Sequence, residues 1–593
     1  MPGTTNFTKI SLRGNAQPTE FFYEKIRFYI NGVDINYNYF SNFPISLIKR
    51  IEIIKGGNFT ILGNNGYLGS INIVTKIDND FNAVNIGSGS YDKKNISLYF
   101  NKDFDDWKLG IDAYYIKEDK EIDAPSGYPT YDDSWKRDKK SLEGVEDKAF
   151  GINLNNDNWN FNMRYLETNQ QNHYGFFGLI DFDDSGYSNY EVFTSQISYE
   201  NDITAHTKLK AKLGISNYSM KVNTYFFKFE PNDLGYYDPH FQVDYSKKDV
   251  LGELSFTNNY FDKHEIEYGA YFSKNYYYKN NNYTNVDNNI NISSMLLLNY
   301  FPTTDKLIFE NVQNSLSNEY NNSYYIQDNY TYNENLNFLI NTKIDTLEKY
   351  KEVINYSLAG VYSSDNINIY KAIFSKNYRL PSSFETNTIG YLDTYGNEEL
   401  KPEKSYTLEL IYNYINQDEK FKINSYYTTF HNNIELIYAD RSSYYYNNND
   451  TLNNYGLELD YSRVFENRSK LLFNSSYSVF KYSNKEANFA SIDTPIASKI
   501  TANLGYIYPV NSKFDISATS KYYGTKALIN GEKIDDVLLF DLSSSYRVKK
   551  DLKFFFSVKN IFNTDYYYYG YNTKDEKMLR ESRAWNASIS YEF

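Results

Sequence analysis

FPISLIKRIEIIKGGNFTILGNNGYLGSINIVTK, residues 43–76, is the stretch on which the reading of this chain turns. Two shorter segments precede it, ISLRG at 10–14 and FYINGVDI at 28–35. After it, from about Phe81, the pattern changes to a period of two. Ile96, Leu98 and Phe100 alternate with Asn95, Ser97 and Tyr99. Trp107, Leu109, Ile111, Ala113 and Tyr115 alternate with Lys108, Gly110, Asp112 and Tyr114, and Trp159, Phe161, Met163 and Tyr165 with Asn160, Asn162 and Arg164. Successive side chains of a strand point to opposite faces, so each segment has one apolar and one polar face. A water-soluble sandwich alternates too. Here the polar face carries Lys, Arg and Asn while the apolar face is rich in aromatics, which suits lipid outside and a wet lumen inside.

The connectors sharpen this. Short polar turns are expected at 105–106, 156–158, 201–202, 262–263, 333–335 and 549–551, and long polar stretches at 118–148, 169–190, 224–247 and 279–319. Short and long connectors alternate, as they do in outer-membrane barrels with short periplasmic turns and long external loops. Dividing residues 78–593 among 22 strands leaves roughly 23 residues per strand and connector, which fits membrane strands of about 9–11 residues. Barrels of that size carry an internal plug. At the C-terminus Trp585, Ala587, Ile589, Tyr591 and Phe593 share one face, and Asn586, Ser588, Ser590 and Glu592 the other. This last strand must pair with the first, because an open edge in hydrocarbon leaves backbone groups unsatisfied.

Composition sets outer bounds. The mean hydropathy is -0.65, and no run of 18 or more apolar residues forms a helical span. A membrane strand, apolar only at every second residue, escapes that test. Aromatics make up 19% of the chain, with 65 Tyr. They suit interfacial girdles, although an AT-rich genome would enrich Tyr, Asn, Lys and Ile equally well. The absence of cysteine excludes disulfides, thiolate metal sites and cysteine nucleophiles. A net charge of -14 argues against a nucleic-acid partner. Met1 opens directly onto PGTTNFTKISLRG, so no signal peptide is expected in this stretch.

The 43–76 stretch resembles the closing half of the plug domain of TonB-dependent outer-membrane receptors, and ISLRG and FYINGVDI resemble the two plug motifs that precede it. YYIQDNY (324–330), YRLPSSFE (378–385), GNEELKPEKSYTLEL (396–410), NYGLELDY (454–461) and SVKNIFNTDYY (557–567) resemble barrel segments of the same family, in order, and the terminal Phe593 resembles its assembly signal. The resemblance implies an all-β fold: a barrel of about 22 antiparallel transmembrane strands (78–593) around a small α/β plug (1–77). That plug is expected to be partial, its beginning truncated or lost to a late start, with the TonB-contacting segment missing. It further implies an outer-membrane monomer in a Gram-negative bacterium, surrounded by lipid, energised by the TonB–ExbB–ExbD complex and binding a metal chelate. Gly57 stands where the family prefers Pro, and Leu68–Gly69 where it has Gly–Gly, which puts the local packing in question.

The resemblance also nominates sites. The apical plug loops align with 3–6, 15–21 and 36–43, so Asn15, Gln17, Tyr37, Asn38, Tyr39 and Phe40 are expected to face the ligand. Aromatics and amides offer stacking area and neutral hydrogen bonds to a bulky chelate. Arg13 and Arg50 match plug arginines that pair with barrel-wall carboxylates, for which Glu409 and Glu458 are the candidates. Lys208, Lys210 and Lys212 share a strand face and, if inward, form a positive column. The segment 181–186 begins like a calcium loop, but Val192 occupies the position of the bidentate Glu. His173, His206, His240, His264 and His431 show no metal or catalytic spacing, and GxSxG is absent. No enzyme, cofactor or resident metal is therefore expected. A ferric siderophore is the first expectation for cargo. Cobalamin comes second, and haem is demoted because 386–395 contains no His, though His240 or His431 could serve. A passive porin and a non-transporting surface-binding barrel are the competing classes; porins lack the plug motifs.

Overall fold

The period-two segments build a closed antiparallel barrel in the computed structural model, which describes residues 11–13, 15–16, 25–35, 43–56, 67–76, 82–123, 140–171, 186–225, 240–286, 303–310, 319–347, 349–387, 394–440, 443–449, 451–482, 498–527, 533–569 and 577–593. Twenty-two strands close the wall. Among the described residues the short strand Thr303–Glu310 pairs with the outer end of His264–Val286, which continues the ring directly to Glu319–Asn333. Closure comes from the terminal strand Ala584–Glu592, which lies antiparallel to Ala83–Gly89.

Side-chain exposure separates the faces as the alternation requires. Leu213, Leu254, Leu410, Trp585 and Ile589 stand on the outer surface, whereas Asp112, Asn162, Arg164, Glu409 and Glu458 are buried on the inner one. Leu410, 56% exposed, lies midway along Glu403–Ile415. A charge there has no water to meet. Leu410→Arg is expected to destabilise the barrel by about 2–4 kcal/mol, measured by denaturant unfolding in lipid vesicles, with Leu410→Phe near neutral.

The strands exceed the membrane. Thr207–Tyr225 and His240–Asn258 are 19 residues each and His264–Val286 is 23, against the 9–11 a bilayer needs. Residues 224–225, 240–247, 279–286 and 303–310, expected to be loop, are therefore strand: outside the bilayer, polar side chains on both faces are tolerated, and pairing still satisfies the backbone. The turn expected at 201–202 also moves. The strand Tyr187–Thr204 runs through Asn201 and Asp202, absorbs a register shift there, and reverses before Thr207. A bulge takes polar residues that read as a turn.

Inside the wall sits a four-stranded sheet. Its strands are β1 (Ile26–Ile30), β2 (Val33–Ile35), β3 (Ile48–Lys55) and β4 (Gly69–Thr75), in the order β2-β1-β4-β3. β1 and β4 run parallel; the other pairs are antiparallel. Asn31 and Gly32, both at positive φ, make the two-residue turn between β1 and β2. The Asn31 side chain receives the Thr75 N–H at 2.9 Å, which ties that turn to β4. Ile26, Phe28, Ile30, Leu47, Ile71 and Ile73 form the sheet's core, continuous with the barrel residues Tyr99, Tyr114 and Leu166. Among the described residues this inner unit has a 3-10 turn, Ile45–Leu47, as its helical element; the expected α/β character is seen only as sheet.

The departure at Leu68–Gly69 now has a physical account. Gly69 takes φ +142°, and a Cβ there would lie 2.2 Å from the Ile54 carbonyl oxygen, so this glycine is required. Leu68 is buried in the core, donates its N–H to the Lys25 carbonyl and accepts from Gly56. A leucine at 68 adds apolar packing without disturbing the backbone bonds.

Candidate functional site: the contact between inner sheet and barrel wall

The glutamates expected to meet the inner unit lie on neighbouring strands, Glu409 on Glu403–Ile415 and Glu458 on Leu452–Val464, with Glu419–His431 between them. Tyr426 faces Glu409, and Asn424 faces Glu458, across the ladders. All four side chains share the lumen face, and Asn424 Nδ2 bonds both carboxylates, at 3.0 Å to Glu409 and 3.1 Å to Glu458.

Two cations from the inner unit meet this pair. Arg13 donates to Glu409, lies 3.8 Å from Glu458, and stacks its guanidinium 4.2 Å from the Tyr426 ring centre. Its carbonyl accepts from Asn454 at 3.0 Å and from Ser478 at 2.6 Å. Lys55, the last residue of β3, bonds Glu458 at 2.6 Å. Two cations therefore balance two carboxylates, and Arg13 and Glu409 are each only 7% exposed at the side chain. Gly56 follows at φ +76°, with its missing Cβ 2.9 Å from Glu409 Oε1; a side chain there would push the carboxylate away.

The expectation for Arg50 is corrected. Arg50 pairs with Glu52 of its own strand at 2.7 Å. Side chains alternate along β3, so Arg50 and Glu52 share one face while Lys55 takes the other. The cation facing the wall is Lys55. The parity of β3 held that signal, since Lys55 ends the strand immediately before Gly56. Glu52 also accepts from Asn72, and that bond, with Arg50 beside it, holds its carboxyl below the usual range.

The inner unit touches other parts of the wall. Phe43 meets Tyr114 edge-on at 5.7 Å and lies 5.7 Å from the Arg164 guanidinium, itself held by two bonds to Asp112 at 2.7 and 2.5 Å. Ser46 bonds Ser97 at 2.8 Å. Lys25 lies 4.0 Å from Glu403, and Tyr67 packs on Phe430. Contacts on so many strands put the sheet within the lumen.

The other expected sites fall differently. Gln17, Tyr37, Asn38, Tyr39 and Phe40 lie outside the described residues, as does 181–185 of the calcium-like segment; Asn15 is described only as backbone of the short strand Asn15–Ala16. The lysine column does face inward, but carboxylates counter it: Lys212 bonds Glu253, and Lys208 bonds Glu200, each at 2.9 Å. His431 alternates with the buried Phe430 and so points away from the lumen, where it packs against Tyr406. It is removed as a lumen ligand for haem.

The described residues thus form a closed barrel of 22 strands with a sheet inside it, joined to the wall by a buried charge cluster. The family model described as TonB dependent receptor-like, beta-barrel matches residues 36–561. The chain belongs to the TonB-dependent receptors. It is thus an outer-membrane receptor rather than an enzyme, of a family that depends on TonB for energy. Among solved structures the chain is similar to the ferric-catecholate import receptor Fiu of E. coli K12, at 14% identity and TM-score 0.70, covering 100% of this chain and 93% of that one. It is similar to the ferric enterobactin receptor PfeA of Pseudomonas aeruginosa, at 15% identity and TM-score 0.74, covering 96% and 92%. It is also similar to the copper transporter OprC, at 13% identity and TM-score 0.75, covering 100% and 93%. At such identities the likeness is one of fold. No curated protein matches the sequence.

Proposed function

We propose that this TonB-dependent receptor imports a metal chelate, a ferric siderophore, by binding it outside and releasing it through a rearranged plug. The observation that carries gated passage is the charge cluster of Arg13, Lys55, Glu409 and Glu458. It joins the inner unit to one sector of the wall through hydrophilic groups, which water can take over once the contact opens. An apolar seam of equal strength would have no such exchange. Residues 1–77 act as the plug and 78–593 as the barrel, with TonB and its ExbB–ExbD partners supplying the pull on a monomer. Asn15, Gln17, Tyr37, Asn38, Tyr39 and Phe40 form the ligand face, where aromatic rings supply most of the contact area. The siderophore assignment draws on the ligands named for Fiu and PfeA, and the outward turn of His431 weighs against haem.

The test is equilibrium binding of labelled ferric catecholates and hydroxamates to the purified full chain, with cyanocobalamin and haemin as competitors. Saturable binding of at least one ferric siderophore is expected, weakened about tenfold by Tyr39→Ala or Phe40→Ala. Displacement by cyanocobalamin or haemin, or no saturable binding of any ferric chelate, overturns the assignment.

A further inference from the structure

The inner face of the barrel is not uniform. Several anchors of the inner unit lie on one side of it: Lys25 meets Glu403, Arg13 meets Glu409 and Ser478, and Lys55 meets Glu458. On and beside those strands the lumen face is packed away from water. Asp345, Asn355, Asn377, Glu403 and Asn424 are each at most 2% exposed. Past Ser478 the same face can be followed rung by rung, because directly paired residues of antiparallel strands share a face. Ser476 pairs with Thr501, Ser517 with Ser543, and Ser543 with Ser557. Thr501, Ser517, Thr519, Ser543, Ser545 and Ser557 are short, neutral and partly exposed. Lys521 and Asp541, toward the outer end, neutralise each other at 2.7 Å. A lane of hydroxyl groups thus runs along Ile500–Pro509, Phe514–Tyr523, Val537–Lys549 and Leu552–Lys559. It lies between the sector that holds Arg13 and the sector where Ser46 meets Ser97.

At the periplasmic end the lining changes. Leu472 shares the face of Ser476, Ile507 pairs with Ser517, and Phe555 pairs with Ser545, so all three turn to the lumen. They stand two residues in from Lys470, two from Pro509 and three from Leu552, beside the short turns. Ile507 and Phe555 are 36% and 42% exposed. The direct partners of Phe555 are Ser545 and Ser588, both too short to cover its ring. Apolar side chains left uncovered on a hydrophilic face need a reason. In a narrow passage they have one, since an apolar constriction sheds water and stops ions and polar solutes.

We propose that the hydroxyl-lined face is the lane along which hydrophilic cargo leaves the vestibule, and that Leu472, Ile507 and Phe555 form the apolar collar sealing it toward the periplasm. This rests on the gated passage proposed for the plug and names the side that yields. Hydroxyls exchange hydrogen bonds with water and solute readily. The anchored sectors would first have to break buried ion pairs, a cost the lane avoids. The collar lets a barrel whose lining is open on one side stay closed at rest.

Planar-bilayer recording of the full chain needs no chelate, so it tests the lane apart from the cargo. Ile507→Ser with Phe555→Ser is expected to raise the steady conductance roughly tenfold over the unaltered chain, while amide exchange in β3 and β4 stays slow. The chain has no cysteine of its own. Adding Ser543→Cys to that variant should therefore let a bulky methanethiosulfonate shut the current. Heat-modifiable gel mobility reports folding, and Phe555→Ala alone decides the question if the double variant does not assemble. Silent bilayers from a folded variant overturn the proposal, as does a current that modification at 543 leaves unchanged. Current accompanied by fast exchange in β3 and β4 overturns it too, because the inner sheet has then loosened instead of the collar. Failure of every ferric chelate to bind would remove the siderophore assignment and leave these outcomes standing.

Discussion

Alanine at both Glu409 and Glu458 is expected to leave the barrel folded and loosen what fills it. The wall loses the two bonds from Asn424 but keeps its ladders, which are backbone bonds through Glu403–Ile415, Glu419–His431 and Leu452–Val464. The inner unit loses more. Without the carboxylates, Arg13 keeps its place under Tyr426 but loses both anionic partners, and Lys55 loses its one bond to Glu458. Removing one side of a buried pair costs about 3–5 kcal/mol, because the charge left behind stays desolvated. Lys55 is a third exposed and recovers some hydration, so most of the cost falls on Arg13. Two measurements read it. Amide exchange in β3 and β4 should accelerate while exchange in the barrel strands stays slow. Planar bilayers should show channel openings that the unaltered chain lacks. Glu409→Gln with Glu458→Gln separates charge from shape and is expected to fall between the two. Silent bilayers and unchanged exchange in the alanine variant would mean that the cluster does not hold the plug.

The same cluster shows what sequence carries and what it hides. Alternation of the kind seen in Trp107–Glu118 names the lumen face residue by residue, so the inward Glu409 and Glu458 were legible once their strands were recognised. The size class of the barrel was legible too, because the spacing of the connectors fits about 22 strands. What failed was local. Arg50 is nominated by its match to a plug arginine of the family, yet the phase of a short strand outweighs that match: Arg50 pairs with Glu52, two positions on, and lies on the wrong face. The ends of strands were hidden for a different reason. Above the membrane neither face of a strand needs to be apolar, so 224–225 and 240–247 read as loop although they pair in the ladder of Thr207–Tyr225 with His240–Asn258. The pairing of Arg379 with Glu403 was equally invisible, since nothing in YRLPSSFE, which itself supplies the nearer partner Glu385, announces a carboxylate on the next barrel strand.

Those partners carry the second large effect. Glu403→Ala is expected to destabilise the protein by about 3–5 kcal/mol and to do so at two places at once. Glu403 is fully buried. It accepts from Arg379 and from the Ile434 N–H at 2.7 Å, and lies 4.0 Å from Lys25, just before β1. Arg379 also makes two bonds to Glu385, at 2.9 and 2.8 Å, in the short helix Ser383–Asn387. Glu403 thus links a segment following the strand Asn368–Arg379 to the inner sheet through a chain of charges that low dielectric strengthens when complete and penalises when broken. Alanine leaves Arg379 with one anion in place of two and strands the Ile434 N–H. Replacing Arg379, Glu385 and Glu403 together by Met, Leu and Leu removes every charge of the triad and is expected to cost far less than Glu403→Ala alone, as buried ion clusters exchanged whole for apolar groups often do. Lys25 then lies beside leucine instead of Glu403, so the triple variant should still loosen β1 while sparing the wall. Denaturant unfolding in vesicles, with amide exchange in β1 as the second readout, distinguishes the two. A cost below about 1 kcal/mol for Glu403→Ala, within the range of an exposed ion pair, would show that the cluster is no more than a surface bridge.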